Sequence, residues 1–179
     1  GPFMWTRCAK AFELATSGLD GGTTAVWRAA HDGYRRLRPG ARHERTVTLD
    51  REARRLVVGD TVESSGRHAC RLAFHVGPEV DCRLDQDVAQ LSWHAGGGRW
   101  RAVMRLPHRL EWSAVRGQTE PPLGWYSRCF GAKLPIVTLI GQGVVAGGDR
   151  LTTDLRIERS GRPTESAAPG RIRLAESAG

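Results

Sequence analysis

The chain has 179 residues, enough for one domain with a real core and short for two. Apolar residues make up 40% of it, and no apolar run approaches the ~18 residues of a membrane-spanning helix, so a helical span is excluded. The net charge of +8 rests on arginine, Lys10 and Lys133 being the only lysines, and it would concentrate acidic sugars, nucleic acid or anionic lipid alike.

Residues 3–16 alternate loosely, with Cys8, Phe12 and Leu14 opposite Ala9, Ala11, Glu13 and Ala15. That is strand periodicity, closed by the turn-rich Ser17-Gly18-Leu19-Asp20-Gly21-Gly22. A second strand over residues 25–30 leads into His31-Asp32-Gly33-Tyr34, and Arg38-Pro39-Gly40 breaks the chain. Residues 43–49 and 56–62 flank Asp50-Arg51-Glu52-Ala53 and read as a hairpin, since Thr and Val suit a pleated surface. In residues 69–76, Cys70, Leu72, Phe74 and Val76 alternate with Arg71, Ala73 and His75 until Gly77-Pro78 ends the ladder.

Short pulses follow at 79–84, 89–94, 100–106, 110–115, 126–133, 136–141 and 150–157, separated by Gly, Pro or Asp. About a dozen strands and no amphipathic helix predict an all-β fold, a large antiparallel β-sandwich over residues 1–157. Residues 158–179 shift to Ser, Gly, Pro, Ala and Arg and are expected to form a disordered tail.

The arginines are scattered, the densest clusters being Arg35-Arg36-Leu37-Arg38 and Arg54-Arg55. No nucleic-acid signature accompanies them, and no specific nucleic-acid partner is expected. Cys8, Cys70, Cys82 and Cys129 lack metal-site or disulfide-scaffold spacing and are read as buried thiols. The N-terminus Gly1-Pro2-Phe3-Met4-Trp5 has no leading methionine and none of a signal peptide's charged head and apolar core, so the chain reads as a piece of a longer protein.

His43, His68, His75, His94 and His108 occur singly in or beside strand patterns and read as half-exposed strand residues. His31 differs, because it ends a strand just before a glycine turn that lets its imidazole and the Tyr34 ring face one space. The alternative is a plain Asp32-Gly33 turn with Tyr34 packed over it. No Gly-x-Ser-x-Gly elbow is present, Gly96-Gly97-Gly98 lacks the Lys-Ser/Thr of a phosphate loop, and no βαβ unit surrounds Gly141-Gln142-Gly143. Tryptophans in a sandwich serve either as core or as stacking surfaces for sugars. Trp125 and Tyr126, beside the Pro121-Pro122 corner, are the pair expected to reach a sugar.

Several stretches taken in order are similar to the C-terminal domain of heparinase II/III-like polysaccharide lyases. They are Trp27 with His31-Asp32-Gly33-Tyr34, His43-Glu44-Arg45, Val57-Val58-Gly59-Asp60, Phe74-His75-Val76-Gly77-Pro78-Glu79-Val80, and the run from Gly117 through Pro121-Pro122 to Trp125-Tyr126-Ser127. The resemblance implies a β-sandwich that partners an N-terminal helical toroid, with an acidic polysaccharide bound between them and cleaved by β-elimination. It further implies that the main catalytic residues lie in the toroid, upstream of this chain, so that these residues alone are inactive. Among matching positions it puts His31 and Tyr34 near the cleft, with His31 the candidate ligand for a divalent metal ion, and it suggests the cell envelope or periplasm. Two other readings stand beside it: a non-catalytic carbohydrate-binding or structural β-domain, and a nonspecific polyanion binder whose affinity collapses with salt.

Overall fold

The computed structural model describes residues 8–159, and the period-two patterning there has become thirteen strands and no helix. The first six are β1 (Ala11–Ser17), β2 (Thr24–His31), β3 (Ala41–Asp50), β4 (Arg55–Ser64), β5 (Arg67–His75) and β6 (Asp81–Asp85). Then come β7 (Val88–Ala95), β8 (Gly98–Arg105), β9 (Glu111–Arg116), β10 (Trp125–Tyr126), β11 (Leu134–Pro135), β12 (Val137–Ala146) and β13 (Arg150–Arg159). All pairings are antiparallel. Eight strands form one sheet in the order β1-β2-β3-β4-β13-β8-β7-β6, three form a second in the order β5-β12-β9, and β10 pairs with β11.

Residues directly opposite one another on neighbouring strands share a face, so the register lays out the large sheet's inner surface row by row. One row is Ala25, Leu49, Leu56, Leu155, Met104 and Ala89; the next is Trp27, Val47, Val58 and Thr153. The small sheet packs over the β13-β8-β7-β6 half of this surface. Leu139, at 0% exposure, and Val76 meet Ala89, Met104 and Leu106 from across the gap, with Phe74 and Trp112 alongside. A second cluster joins Leu72, Leu110 and Val145 to Leu151. Each fully buried Leu, Val or Met among them contributes roughly 1.5–3 kcal/mol by leaving water. On the β2-β3 side the inner surface stays open, and Trp27 and Leu49 remain more than a third exposed.

The expected hairpin of β3 and β4 forms, and its register sets Leu49 opposite Leu56 and Val47 opposite Val58. Three expectations need correction. Residues 126–133 are not a strand: β10 stops at Tyr126, and the chain loops through a positive-φ Gly131 before β11. Aromatic propensity suggested a strand there, but Phe130 is fully exposed and has no sheet to join. The strand expected to end at Gly141 runs on to Ala146. A Cβ on Gly141 would fall 2.6 Å from the Trp112 ring, so this glycine marks close packing within a strand and not a break. The four cysteines are free as expected, yet Cys8 and Cys129 are exposed and Cys70 and Cys82 only half-buried. The boundary drawn after residue 157 falls within β13, and the rest of the expected tail, with residues 1–7, lies outside the described residues.

Candidate functional site

The row at the His31 end of the open inner surface breaks the apolar pattern. His31 stands opposite His43, and Arg45 stands opposite Asp60. Asp60 is 3% exposed, and a carboxylate buried on a largely apolar face persists only when its hydrogen bonds are met. Arg45 meets them with a fork: Nε donates to Oδ1 at 2.7 Å and Nη2 to Oδ2 at 3.1 Å. His43 Nε2 lies 2.7 Å from the same Oδ1, and His43 Nδ1 lies 3.1 Å from His31 Nε2. The Gly33 backbone N–H donates to His31 Nδ1 at 3.3 Å.

This chain of contacts fixes both tautomers. A backbone N–H can only donate, so His31 Nδ1 accepts and the His31 proton sits on Nε2. It points at His43 Nδ1, which must then accept, leaving the His43 proton on Nε2 to donate to Asp60. Arg45, Asp60, His43 and His31 thus form one line of satisfied hydrogen bonds with both imidazoles neutral. Gly33 makes the last link, since a Cβ there would lie 3.0 Å from the Ala9 Cβ and 3.3 Å from His31 Nδ1. Asp32 holds the turn by accepting from the Lys10 N–H at 2.8 Å, and Tyr34 presents its ring edge-on to His31 at 5.0 Å.

Electrostatics agree with the geometry. Burial lowers the His31 pKa and the neighbouring His43 lowers it further, against a smaller opposing pull from Asp32. Burial pushes the Asp60 carboxyl up, but the hydrogen bonds from His43 and Arg45 outweigh it and hold the group below the usual aspartate range. Because folding disfavours protonated His31, its contribution to stability is complete above the ordinary histidine value of 6.5 and declines as pH falls below it. Melting temperatures across roughly pH 5 to 8 are expected to fall on the acid side for the wild type and to flatten in His31→Gln. Long-range proton–nitrogen NMR spectra at neutral pH are expected to show both rings protonated on Nε2; a cationic His31 would refute this assignment.

The line of residues borders a groove of about 690 Å³, lined also by Trp27, Tyr34, Arg71 and Cys70. It lies where the β5 edge of the small sheet ends and the open half of the large sheet begins. Arg45 keeps Nη1 uncommitted there, and Trp27 and Tyr34 expose their rings. These groups can stack on a sugar ring and bind its carboxylate. Trp27, Arg45 and Arg71 were not singled out as site residues from the sequence. Position parity was the available signal for Trp27, which lies four residues before His31 and so shares its face.

Of the four expected sugar-contacting residues, the structure brings His31 and Tyr34 together in this groove. Trp125 and Tyr126 are not among its lining residues. Trp125 belongs to the corner: its Nε1 donates to the Gln118 carbonyl at 2.7 Å, Lys133 Nζ lies 4.2 Å from its ring centroid, and Gly117 sits against the ring. Tyr126 is about a third exposed beside it. The residues present do not fit a bound metal ion. Both His31 nitrogens are committed, and among the described residues no group of three or more His, Cys, Asp or Glu side chains is placed to hold one.

A family model described as Heparinase II/III-like, C-terminal, matches residues 1–166. The fold is similar to that of heparan sulfate lyase HepC from Pedobacter heparinus, with TM-score 0.64 and 12% identity over 84% of this chain and 22% of that one. It is also similar to a heparinase III gene product, at TM-score 0.62 and 10% identity over 87% of this chain and 22% of that one. A further heparinase III crystal structure gives TM-score 0.59 and 13% identity over 83% and 21%. The chain therefore spans about a fifth of the length of these solved proteins. No curated protein sequence matches.

Proposed function

The chain belongs to the heparinase II/III-like C-terminal family, and from that premise we propose that it is the β-sandwich part of a lyase that cleaves acidic polysaccharide by β-elimination. The supporting observation is the groove in which Arg45, Asp60 and His43 hold His31 in one tautomer beside Tyr34. With its Nδ1 lone pair taken and its Nε2 proton donated, His31 acts as a fixed wall. Trp27 and Tyr34 supply aromatic surface for a sugar ring, while the free Arg45 Nη1 and Arg71 meet the uronic-acid carboxylate. That interaction neutralises the carboxylate and favours loss of the adjacent proton. The elimination then needs a base to take this proton, the C–O bond to break as the double bond forms, and an acid to protonate the departing oxygen.

His31 and His43 are both taken up in the hydrogen-bonded line to Asp60, so the base and acid are assigned to an N-terminal helical toroid. On this reading the protein works in the cell envelope or periplasm, where such polymers are met. Among the described residues no helix is long and apolar enough to cross a membrane. The commitment of both His31 and His43 to internal hydrogen bonds favours one other reading, a carbohydrate-binding domain without chemistry.

Incubated alone with a panel of uronic-acid polymers, the 179-residue chain is expected to give no rise in ultraviolet absorbance from unsaturated sugars. A clear rise would overturn the division of labour. The reading frame upstream separates the two functions: several hundred residues of paired helices support the lyase, and a nearby start codon supports the binding domain.

A further inference from the structure

At the other end of the same inner surface lies a second aromatic group that the His31 groove does not use. Trp93 and Trp100 are direct cross-strand partners on β7 and β8, with rings stacked at 6.5 Å and an interplanar angle of 11°. Trp100 Nε1 donates to the Ala95 carbonyl at 3.1 Å, which fixes its indole. The guanidinium groups of Arg54 and Arg159 lie 5.7 and 5.8 Å from the Trp100 ring centroid. Both lack a carboxylate partner among the described residues, whereas Arg28, Arg42, Arg45, Arg55 and Arg109 each have one. A guanidinium laid over an indole keeps its edge N–H donors free, and those donors match a carboxylate or sulfate in pairs. Arg54 also holds φ at +47°, a backbone conformation that costs a non-glycine residue energy and recurs at binding sites.

The tryptophans wall a groove of about 600 Å³ whose floor is Leu49, Leu56 and Ile157. Arg51 at its rim is committed to the Gly18, Leu19 and Gly22 carbonyls, so Arg54 carries the charge available within it, and Arg159 adds a second guanidinium beside Trp100 at its margin. Along β3, Leu49 is six residues from His43, or about 20 Å, and the intervening inner face, with Val47, is not roofed by the small sheet.

We infer that this groove is a second saccharide-binding site, taking an acidic sugar with its ring against Trp93 and Trp100 and its carboxylate or sulfate on Arg54 and Arg159. The inference rests on the acidic-polysaccharide reading above. One polymer lying along the β3 and β4 surface would reach both grooves.

Calorimetric titration of the 179-residue chain tests it, using a glucuronate-containing hexasaccharide, a sulfated one, a neutral glucose hexamer and an oligodeoxynucleotide. Both acidic sugars are expected to bind and the neutral one to bind weakly. Arg54→Gln with Arg159→Gln should weaken the acidic sugars about tenfold or more, and the double lysine variant should recover part of the loss. Trp100→Phe should weaken both acidic and neutral sugars, with circular dichroism confirming that every variant folds. Wild-type affinity in the double glutamine variant overturns this site and leaves the polysaccharide reading intact. Absence of binding by any acidic sugar overturns both, and tighter binding of the oligonucleotide with the same arginine dependence reassigns the groove.

Discussion

Asp60→Ala is expected to lower stability by about 3 kcal/mol and to let His31 turn out of its fixed position. The carboxylate accepts three hydrogen bonds from His43 and Arg45 on a face built largely from Leu, Val, Ala and Trp. Its removal strands the His43 N–H and the Arg45 fork against apolar neighbours. Arg45 is about a third exposed and can recover some hydration, which puts the loss at the low end of what breaking a buried pair costs. Asp60→Asn keeps the volume and one acceptor and should lose less. The carboxyl is held below its ordinary value of 3.8, so the wild-type advantage is present above that value and fades as pH falls below it. Urea denaturation of the wild type and both variants at neutral and acidic pH measures these differences. An alanine variant within ~0.5 kcal/mol of wild type would show that the line of hydrogen bonds contributes nothing net.

Leu139→Ala should cost about as much for a different reason. Leu139 lies in β12, the central strand of the small sheet, with no surface reaching solvent. Truncation removes its contacts with Val76, Ala89, Met104 and Leu106 and leaves a cavity that two hydrogen-bonded sheets resist closing. A loss of about 3 kcal/mol, or roughly 10 °C in melting temperature, is expected. Phe130→Ala is the control, a larger apolar truncation at a fully exposed position that should change stability by less than ~0.5 kcal/mol. Similar losses for the two would mean that the sandwich interior is elsewhere.

The strands were legible where alternation coincided with burial. Cys70, Leu72 and Phe74 point inward as their spacing predicts, and the β3–β4 hairpin pairs as its turn residues suggest. The corner at residues 123–139 was harder, because Trp125, Tyr126 and Phe130 carry strand propensity whether or not a neighbouring strand exists to receive them. Gly141 misled in the opposite sense: a glycine reads as a break until the Trp112 ring is placed against it. At the site, His31 and Tyr34 were visible from the glycine turn between them. His43, Arg45 and Asp60 each looked like ordinary strand residues, since their meeting with one another and with His31 depends on the register among β2, β3 and β4, which no local pattern states. The His31–His43 pairing could be reached by counting outward from the Trp27–Val47 pair, but only with that register in hand.

The irregularity in β1 bears on how the protein behaves when concentrated. Among the described residues β1 is the outermost strand of the large sheet, all seven of its residues are exposed, and its register with β2 slips between Glu13 and Ala15. An unbroken outer strand offers a row of unpaired N–H and C=O groups on which a second copy could polymerise. The extra residue, Leu14, bends that row so that it cannot be matched along its whole length. Where β1 stays uncovered the slip works against fibre growth, and deleting Leu14 is expected to trade a small gain in ladder regularity for a protein that precipitates more readily.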